Sequence, residues 1–328
     1  MKKLCALALI LAAPAVAQDT PEPATPASIV AAAPAADWTA IDPADLLVMT
    51  LAPDRDGNPR QVVIQLMPAP FSQGWVSNIR TLAKAHWWDG TSVYRVVDNW
   101  VAQWGDVEET KAMPEGLKVV PESDYVAPIT DQMENSVLGA LTDAFEAYTE
   151  NRYYWKSGES SEFPRSGPYS DIEIWANGWP LATNEDAASI WPTHCYASVG
   201  VARDTETTGT GAELYAVIGH APRQLDRNIA VVGRVIEGID NLSTLPRGKG
   251  DAGVYDDAKL RVPIVSVRLG DELPAAEQPH FEYLGSETKS FADYVQIRAN
   301  RHDAFYKVPA GGIDVCNVQV PIRQVAHG

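Results

Sequence analysis

The stretch from Trp88 to Asp106 constrains this chain more than any other. Trp88-Asp89-Gly90-Thr91 reads as a turn, Val93 to Val97 as a strand, Asp98-Asn99 as a second turn and Trp100 to Asp106 as a second strand. β-branched and aromatic residues bracketed by Asp, Gly and Asn are the signature of a strand, turn, strand unit. Such a pair is not stable alone and has to join a larger sheet. A charged residue, Arg95, sits in the middle of its first strand.

Strand-like runs recur on both sides of it. Leu46 to Met49 and Val62 to Leu66 flank a turn at Asp54 to Pro59, and further runs cover 196–202, 214–218, 229–235 and 262–269. Between the first two runs and the Arg95 hairpin, Trp75, Ile79, Leu82 and Ala83 recur at helical spacing and predict one amphipathic helix ending near His86. The expected class is therefore mainly β.

The segments outside this pattern divide the chain. Lys2 and Lys3, an apolar run from Leu4 to Ala13 and small residues at Ala15 to Ala17 have the layout of a secretory signal peptide over 1–17. No stretch reaches the roughly 20 apolar residues that a spanning helix needs, so no stable membrane anchor is expected. Residues 18–40, rich in Pro and Ala, read as a flexible spacer. The main domain is expected over 41–270, interrupted at about 107–191 by an acidic insertion with one helical period at Val137, Leu138, Leu141, Phe145 and Tyr148. The C-terminal extension, 271–328, carries a helix expected from about Ser290 to Phe305 and an apolar close, Ile313 to Ile322, able to dock onto the body.

Charge and residue types exclude several functions. A net charge of −17 with no basic block argues against a nucleic-acid partner, because phosphate binding depends on clustered Lys and Arg. The six histidines are scattered with no His-Glu-x-x-His, so no metal and no cofactor is expected, and His194 beside Cys195 reads as structural. No Cys-x-x-Cys and no Gly-x-Ser-x-Gly is present. With the signal removed, Cys195 and Cys316 remain, and either one long-range disulfide or two buried thiols fits the sequence. The tryptophans, among them Trp87, Trp155, Trp175, Trp179 and Trp191, share no spacing, which leaves a carbohydrate-binding surface as a minor third reading.

Two blocks carry a family resemblance. Asp89-Gly90-Thr91-Ser92-Val93-Tyr94-Arg95-Val96-Val97 followed by Trp100-Val101-Ala102-Gln103-Trp104-Gly105-Asp106 resembles the central pattern of the cyclophilins, in which Asp-Gly-Thr and Phe-His-Arg-Val precede Phe-Met-Ile-Gln-Gly-Gly-Asp. Val201-Ala202-Arg203, Gly209 to Tyr215, Leu225-Asp226 and Val231 to Val235 are similar to the later series of that family. Together the blocks span roughly 44–106 and 195–268, and Asn78 and Leu82 fall where the family has its Asn-Phe-x-x-Leu helix.

The resemblance implies an eight-stranded antiparallel β-barrel capped by two helices, with an outer groove for proline-containing polypeptides and peptidyl-prolyl cis-trans isomerase activity. It implies Arg95 and Gln103 as catalytic residues, Trp100, Val101, Tyr215, Leu225 and Ile229 as the proline pocket, and Ala202, Arg203 and Glu213 as further substrate contacts. Tyr94, Trp100, Trp104, Glu213, Leu214-Tyr215 and Gln224 depart from the family pattern. The expected function is isomerisation of X-Pro bonds in exported proteins, by a chain that is itself expected to be periplasmic or secreted. The alternative is a binding module of the same fold with weak turnover, and Glu213 discriminates between the two, since a carboxylate beside Arg95 either neutralises it or orients it.

Overall fold

The computed structural model describes residues 23–129, 139–140, 168–184 and 188–325. The expected signal peptide and the helical period at Val137 to Tyr148 lie outside the described residues.

Eight strands close into an antiparallel barrel. In chain order they are β2 (Leu46–Leu51), β3 (Arg60–Leu66), β4 (Ser92–Val96), β5 (Val101–Gly105), β10 (Ser198–Val201), β11 (Leu214–Val217), β12 (Val231–Glu237) and β13 (Val262–Leu269). Around the wall they run β10-β11-β5-β4-β13-β2-β3-β12, and closure leaves no free sheet edge. Alternate side chains point inward, so Met49, Leu51, Val62, Ile64, Val93, Val96, Trp104, Leu214 and Ile264 form one buried core.

Helix α2 (Gln73–Lys84) closes one end by sinking Trp75, Ile79 and Leu82 into that core. The helix at the other end is one turn, Asp240–Ser243, with Leu242 buried. It is shorter than the expected cap because Pro246 follows at once and cannot continue a helix.

Three segments differ from expectation. The spacer read over 18–40 is not uniformly loose: helix α1 (Pro26–Ala32) starts at a Thr25 cap, and β1 (Trp38–Ile41) follows. Thr25 and Ser28 bond each other's backbone in a capping box, and Pro26 occupies the first turn, which offsets the low apolar content. Ile29, Val30 and Ala33 pack against the nearby Trp38 and against Leu284, Phe291 and Tyr294, three partners that lie about 250 residues away in sequence and are invisible to a local reading. Strand β1 pairs β14 (Phe281–Leu284), which pairs β15 (Ile322–Gln324). The N-terminal segment and the C-terminal extension thus share one three-stranded sheet.

The insertion contains strands the sequence reading did not assign. Strands β6 (Ala127–Pro128), β7 (Ile172–Ala176), β8 (Trp179–Thr183) and β9 (Ser189–Pro192) form a sheet in the order β6-β9-β8-β7, with Asn177-Gly178 as the tight turn between β7 and β8. In the extension the helix is Lys289–Ala299 and stops at Asn300, leaving Phe305 exposed instead of helical. Cys195 and Cys316 are disulfide-bonded, with Cα atoms 4.9 Å apart, which ties the extension to the foot of β10.

Candidate active site

Local irregularity in β4 sets the site. The pairing of β4 with β5 shifts between Val93 and Arg95, so Tyr94 is an extra residue in the ladder. A bulge of this kind lets two successive side chains leave the same face of a sheet. Val93 and Val96 point into the core, while Tyr94 and Arg95 both reach the outer groove. The loop 248–255 supports the bulged strand from its other side: Gly248 N–H donates to the Val96 carbonyl (2.8 Å) and Tyr255 N–H to the Tyr94 carbonyl (3.0 Å).

The half-buried Arg95 is held at two points. Its Nε donates to the Ala252 carbonyl (2.6 Å) and its Nη1 to Gln103 Oε1 (2.8 Å). Its guanidinium lies 5.2 Å from the centre of the Trp100 ring, within cation–π range. Burial holds Arg95 below the usual guanidinium range. Neither of its two hydrogen-bond partners is a carboxylate.

Beside Arg95 an apolar patch covers the outside of the barrel. Val101, Tyr215 and Val217 are buried there, with Val97, Trp100, Ala202, Leu225 and Ile229 packed against them. Register explains the grouping: Arg95 stands opposite Gln103, Gln103 opposite Tyr215, and Tyr215 opposite Gly200, one row across four strands. Gly200 leaves room for the ring, since a Cβ there would lie 2.3 Å from Tyr215 Oη. The patch floors one part of a groove of about 1010 Å³. Met113, Val119, Val120 and Pro121 from the insertion form another wall, so the first part of the insertion extends the groove. Asn78 holds that wall in place, donating to the Lys118 and Thr210 carbonyls (2.9 and 3.0 Å) and accepting from Lys118 N–H (2.8 Å).

Glu213 lies near Arg95 without pairing with it. Its Oε2 accepts from the Tyr94 hydroxyl (2.8 Å) and its Oε1 from Asp106 N–H (2.7 Å). The same hydroxyl accepts from Gln103 Nε2. Burial pushes the Glu213 carboxyl above the usual range, despite the bonds from Tyr94 and Asp106 that oppose the shift. Burial and the neighbouring Glu213 raise the Tyr94 phenol.

A buried ionic chain anchors the patch from beneath. His194 Nε2 meets Tyr215 Oη at 3.0 Å and Nδ1 meets Asp226 Oδ1 at 3.0 Å. Arg223 Nε donates to Asp226 Oδ2 (2.6 Å) and Nη1 to Glu173 Oε1 of β7 (2.7 Å). The 3-10 turn Arg223–Leu225 therefore positions Leu225 through charges on either side of it.

Most residues singled out from sequence meet in one place. Arg95, Gln103, Trp100, Val101, Ala202, Arg203, Glu213, Tyr215, Leu225 and Ile229 all line the groove. Arg203 turns its guanidinium to the Asn228 carbonyl (2.9 Å from Nη2). Trp104 points inward and is buried in the barrel core, so this departure from the family pattern does not touch the groove. Gln224 is exposed. The sequence reading gave no role to Tyr94, Ala252, Asp226, Arg223 or Glu173. Tyr94 carried a signal, a phenol adjacent to Arg95 in a strand, whereas Ala252 contributes only a carbonyl and leaves none.

A closed eight-stranded barrel with an arginine-centred groove on its outer wall defines a cyclophilin-like protein. The family model for cyclophilin type peptidyl-prolyl cis-trans isomerases matches residues 58–269, and the chain belongs to that family. The protein is accordingly a peptidyl-prolyl cis-trans isomerase whose domain takes proline-containing peptides. Its structure is similar to that of the cyclophilin AquaCyp293 from Hirschia baltica, with TM-score 0.61 and 18% identity over 92% of this chain and 98% of that one. A Cryptosporidium parvum cyclophilin type peptidyl-prolyl cis-trans isomerase aligns at TM-score 0.37 and 10% identity, over 68% of this chain and 97% of that one. No curated protein sequence matches.

Proposed function

We propose that this isomerase acts on X-Pro bonds of exported proteins, with Arg95 as the donor to the proline nitrogen. Rotation about a peptide bond faces a barrier of roughly 18–20 kcal/mol and takes tens to hundreds of seconds unaided at X-Pro. No bond breaks, so neither nucleophile nor metal is required. In the twisted state amide resonance is lost and the proline nitrogen gains a lone pair able to accept a hydrogen bond. A fixed donor aimed at that lone pair lowers the barrier without strengthening ground-state binding.

The observation that carries this reading is the double fixation of Arg95 by Gln103 and Ala252. Its Nη2 has no hydrogen-bond partner among the described residues, and its two N–H groups are left to meet a substrate. Trp100, Val101, Tyr215, Leu225 and Ile229 provide the apolar surface for the proline ring, and the exposed backbone near Ala202 and Arg203 takes the extended chain. Export is supported by the Lys-apolar-small pattern at the N-terminus and by the Cys195–Cys316 disulfide, a bond that persists in oxidising compartments.

An NMR exchange assay on a short X-Pro peptide tests the catalytic part. Acceleration by the wild type that Arg95→Ala abolishes supports the reading. A folded wild type giving no acceleration removes it and leaves a peptide-binding groove. Export is tested by fractionating cells that express the full chain: a periplasmic or secreted product with a new N-terminus near Gln18 is expected, and an uncleaved cytoplasmic product overturns it.

A further inference from the structure

The groove contains a hydrogen-bond chain whose direction is dictated at one end. Glu213 Oε1 is taken by Asp106 N–H, and Oε2 faces the Tyr94 hydroxyl. An ionised carboxylate only accepts, so the phenol hydrogen points at Glu213. The phenol oxygen must then accept from its other neighbour, which is the Gln103 amide N–H. With its NH₂ committed to Tyr94, Gln103 presents Oε1 to Arg95, which is the polarity that a guanidinium requires.

From this polarity we infer that Tyr94 and Glu213 are a positioning pair for Arg95, and that this isomerase loses catalytic power when Glu213 takes up a proton. A protonated Glu213 becomes a donor toward Tyr94. Of the two partners of the hydroxyl, Gln103 is then the one that can accept the phenol hydrogen, through Oε1, so the amide turns over and its NH₂ meets the Arg95 guanidinium donor to donor. The same reversal follows in Glu213→Gln, because the new amide must keep its oxygen on Asp106 N–H.

The surroundings fit a carboxylate that protonates readily. Tyr94 faces it from β4, with Arg95 beyond, and Asp106 and Glu109 face it from the segment after β5, both adding negative charge. Lys118, Glu122 and Arg203 line the groove further out. Gly105 makes the arrangement possible, since a Cβ there would lie 2.0 Å from Glu213 Oε1. Burial of the carboxylate moves its titration in the direction of neutral pH.

The inference rests on the reading of Arg95 as the donor to proline, and the experiment separates the two. Full-length wild type, Glu213→Gln and Tyr94→Phe are compared in kcat and KM on an X-Pro peptide across the acid range, with side-chain amide NMR of Gln103 as a second readout. Wild type should show an acid limb in kcat above the ordinary carboxylate range, with KM little changed. Both variants should be slower at neutral pH by roughly tenfold, the rate equivalent of one net hydrogen bond, and should lack that limb. The Gln103 amide signal of wild type should titrate with the limb. Glu213→Gln faster than wild type, or an acid limb retained in both variants, overturns the inference. A wild type inactive at neutral pH fails the earlier reading instead, and the Gln103 titration still decides whether the chain reverses.

Discussion

His194 Nε2 lies 3.0 Å from Tyr215 Oη, so the phenol at the centre of the outer apolar patch is tied from beneath to a histidine with no solvent exposure. Sequence alone gave His194 only a structural reading. The contact makes it the support of a groove residue, and it explains how a tyrosine is accommodated at this position: the extra oxygen fits over Gly200 and finds a buried partner.

Tyr215→Phe keeps the ring and removes that partner, leaving a buried imidazole nitrogen unsatisfied. The expected cost is about 1–3 kcal/mol of stability, with isomerase activity close to wild type. Denaturant titration beside the peptide exchange assay checks both.

Arg223→Met leaves the Asp226 and Glu173 carboxylates buried without their shared cation. Breaking a buried ion pair from one side costs about 3–5 kcal/mol. The variant should unfold at markedly lower denaturant, and a change in Leu225 methyl NMR shifts should accompany it if the turn loosens.

Arg95→Lys keeps the charge and loses the fork. One ammonium cannot reproduce the directed bonds to Gln103 and Ala252 and still aim a fixed donor at the groove. A loss of kcat on the order of a hundredfold is expected, the scale for removing one fixed transition-state donor, with circular dichroism unchanged. Activity near wild type would show that charge alone suffices.

The Cys195–Cys316 bond closes a loop spanning a sequence separation of 121. Replacing both with serine should cost about 2–4 kcal/mol, since the cross-link limits the unfolded chain. Hydrogen exchange should rise first in the helix Lys289–Ala299 and in β15, the elements on the far side of the bond, with the Arg95 groove less affected.

The barrel strands were legible because each carries a run of β-forming residues bounded by turn residues, and the α2 helix because Trp75, Ile79 and Leu82 repeat at its period. Strands β7 and β8 did carry a local signal that the acidic, Pro- and Gly-containing context masked, since Ile172, Ile174 and Ala176 alternate before Asn177-Gly178 and Trp179 and Leu181 after it, whereas the short β6 and β9, each containing a proline, did not stand out. Trp179, Leu181, Ile190 and Trp191 are buried there only because the barrel and the rest of the insertion surround them. Residues 26–41 escaped for a related reason: Trp38 finds Leu284 as its strand partner and sits in a cluster with Phe291, and that pairing is set by the far end of the chain.

What the sequence by itself determined is the family and ten of the residues on the groove, because Arg95, Gln103 and Tyr215 belong to short motifs whose order survives without knowledge of contacts, while Tyr94 and the wall at Met113 and Val119 to Pro121 join it only in the folded chain. The tertiary structure alone decided which partners Glu213 takes. Its proximity to Arg95 admitted a neutralising pair or an orienting one. The bulge at Tyr94 brings a phenol between the carboxylate and Gln103, and Asp106 N–H takes the remaining oxygen. Hydrogen-bond direction is a property of donors and acceptors placed in space, and no linear spacing encodes it.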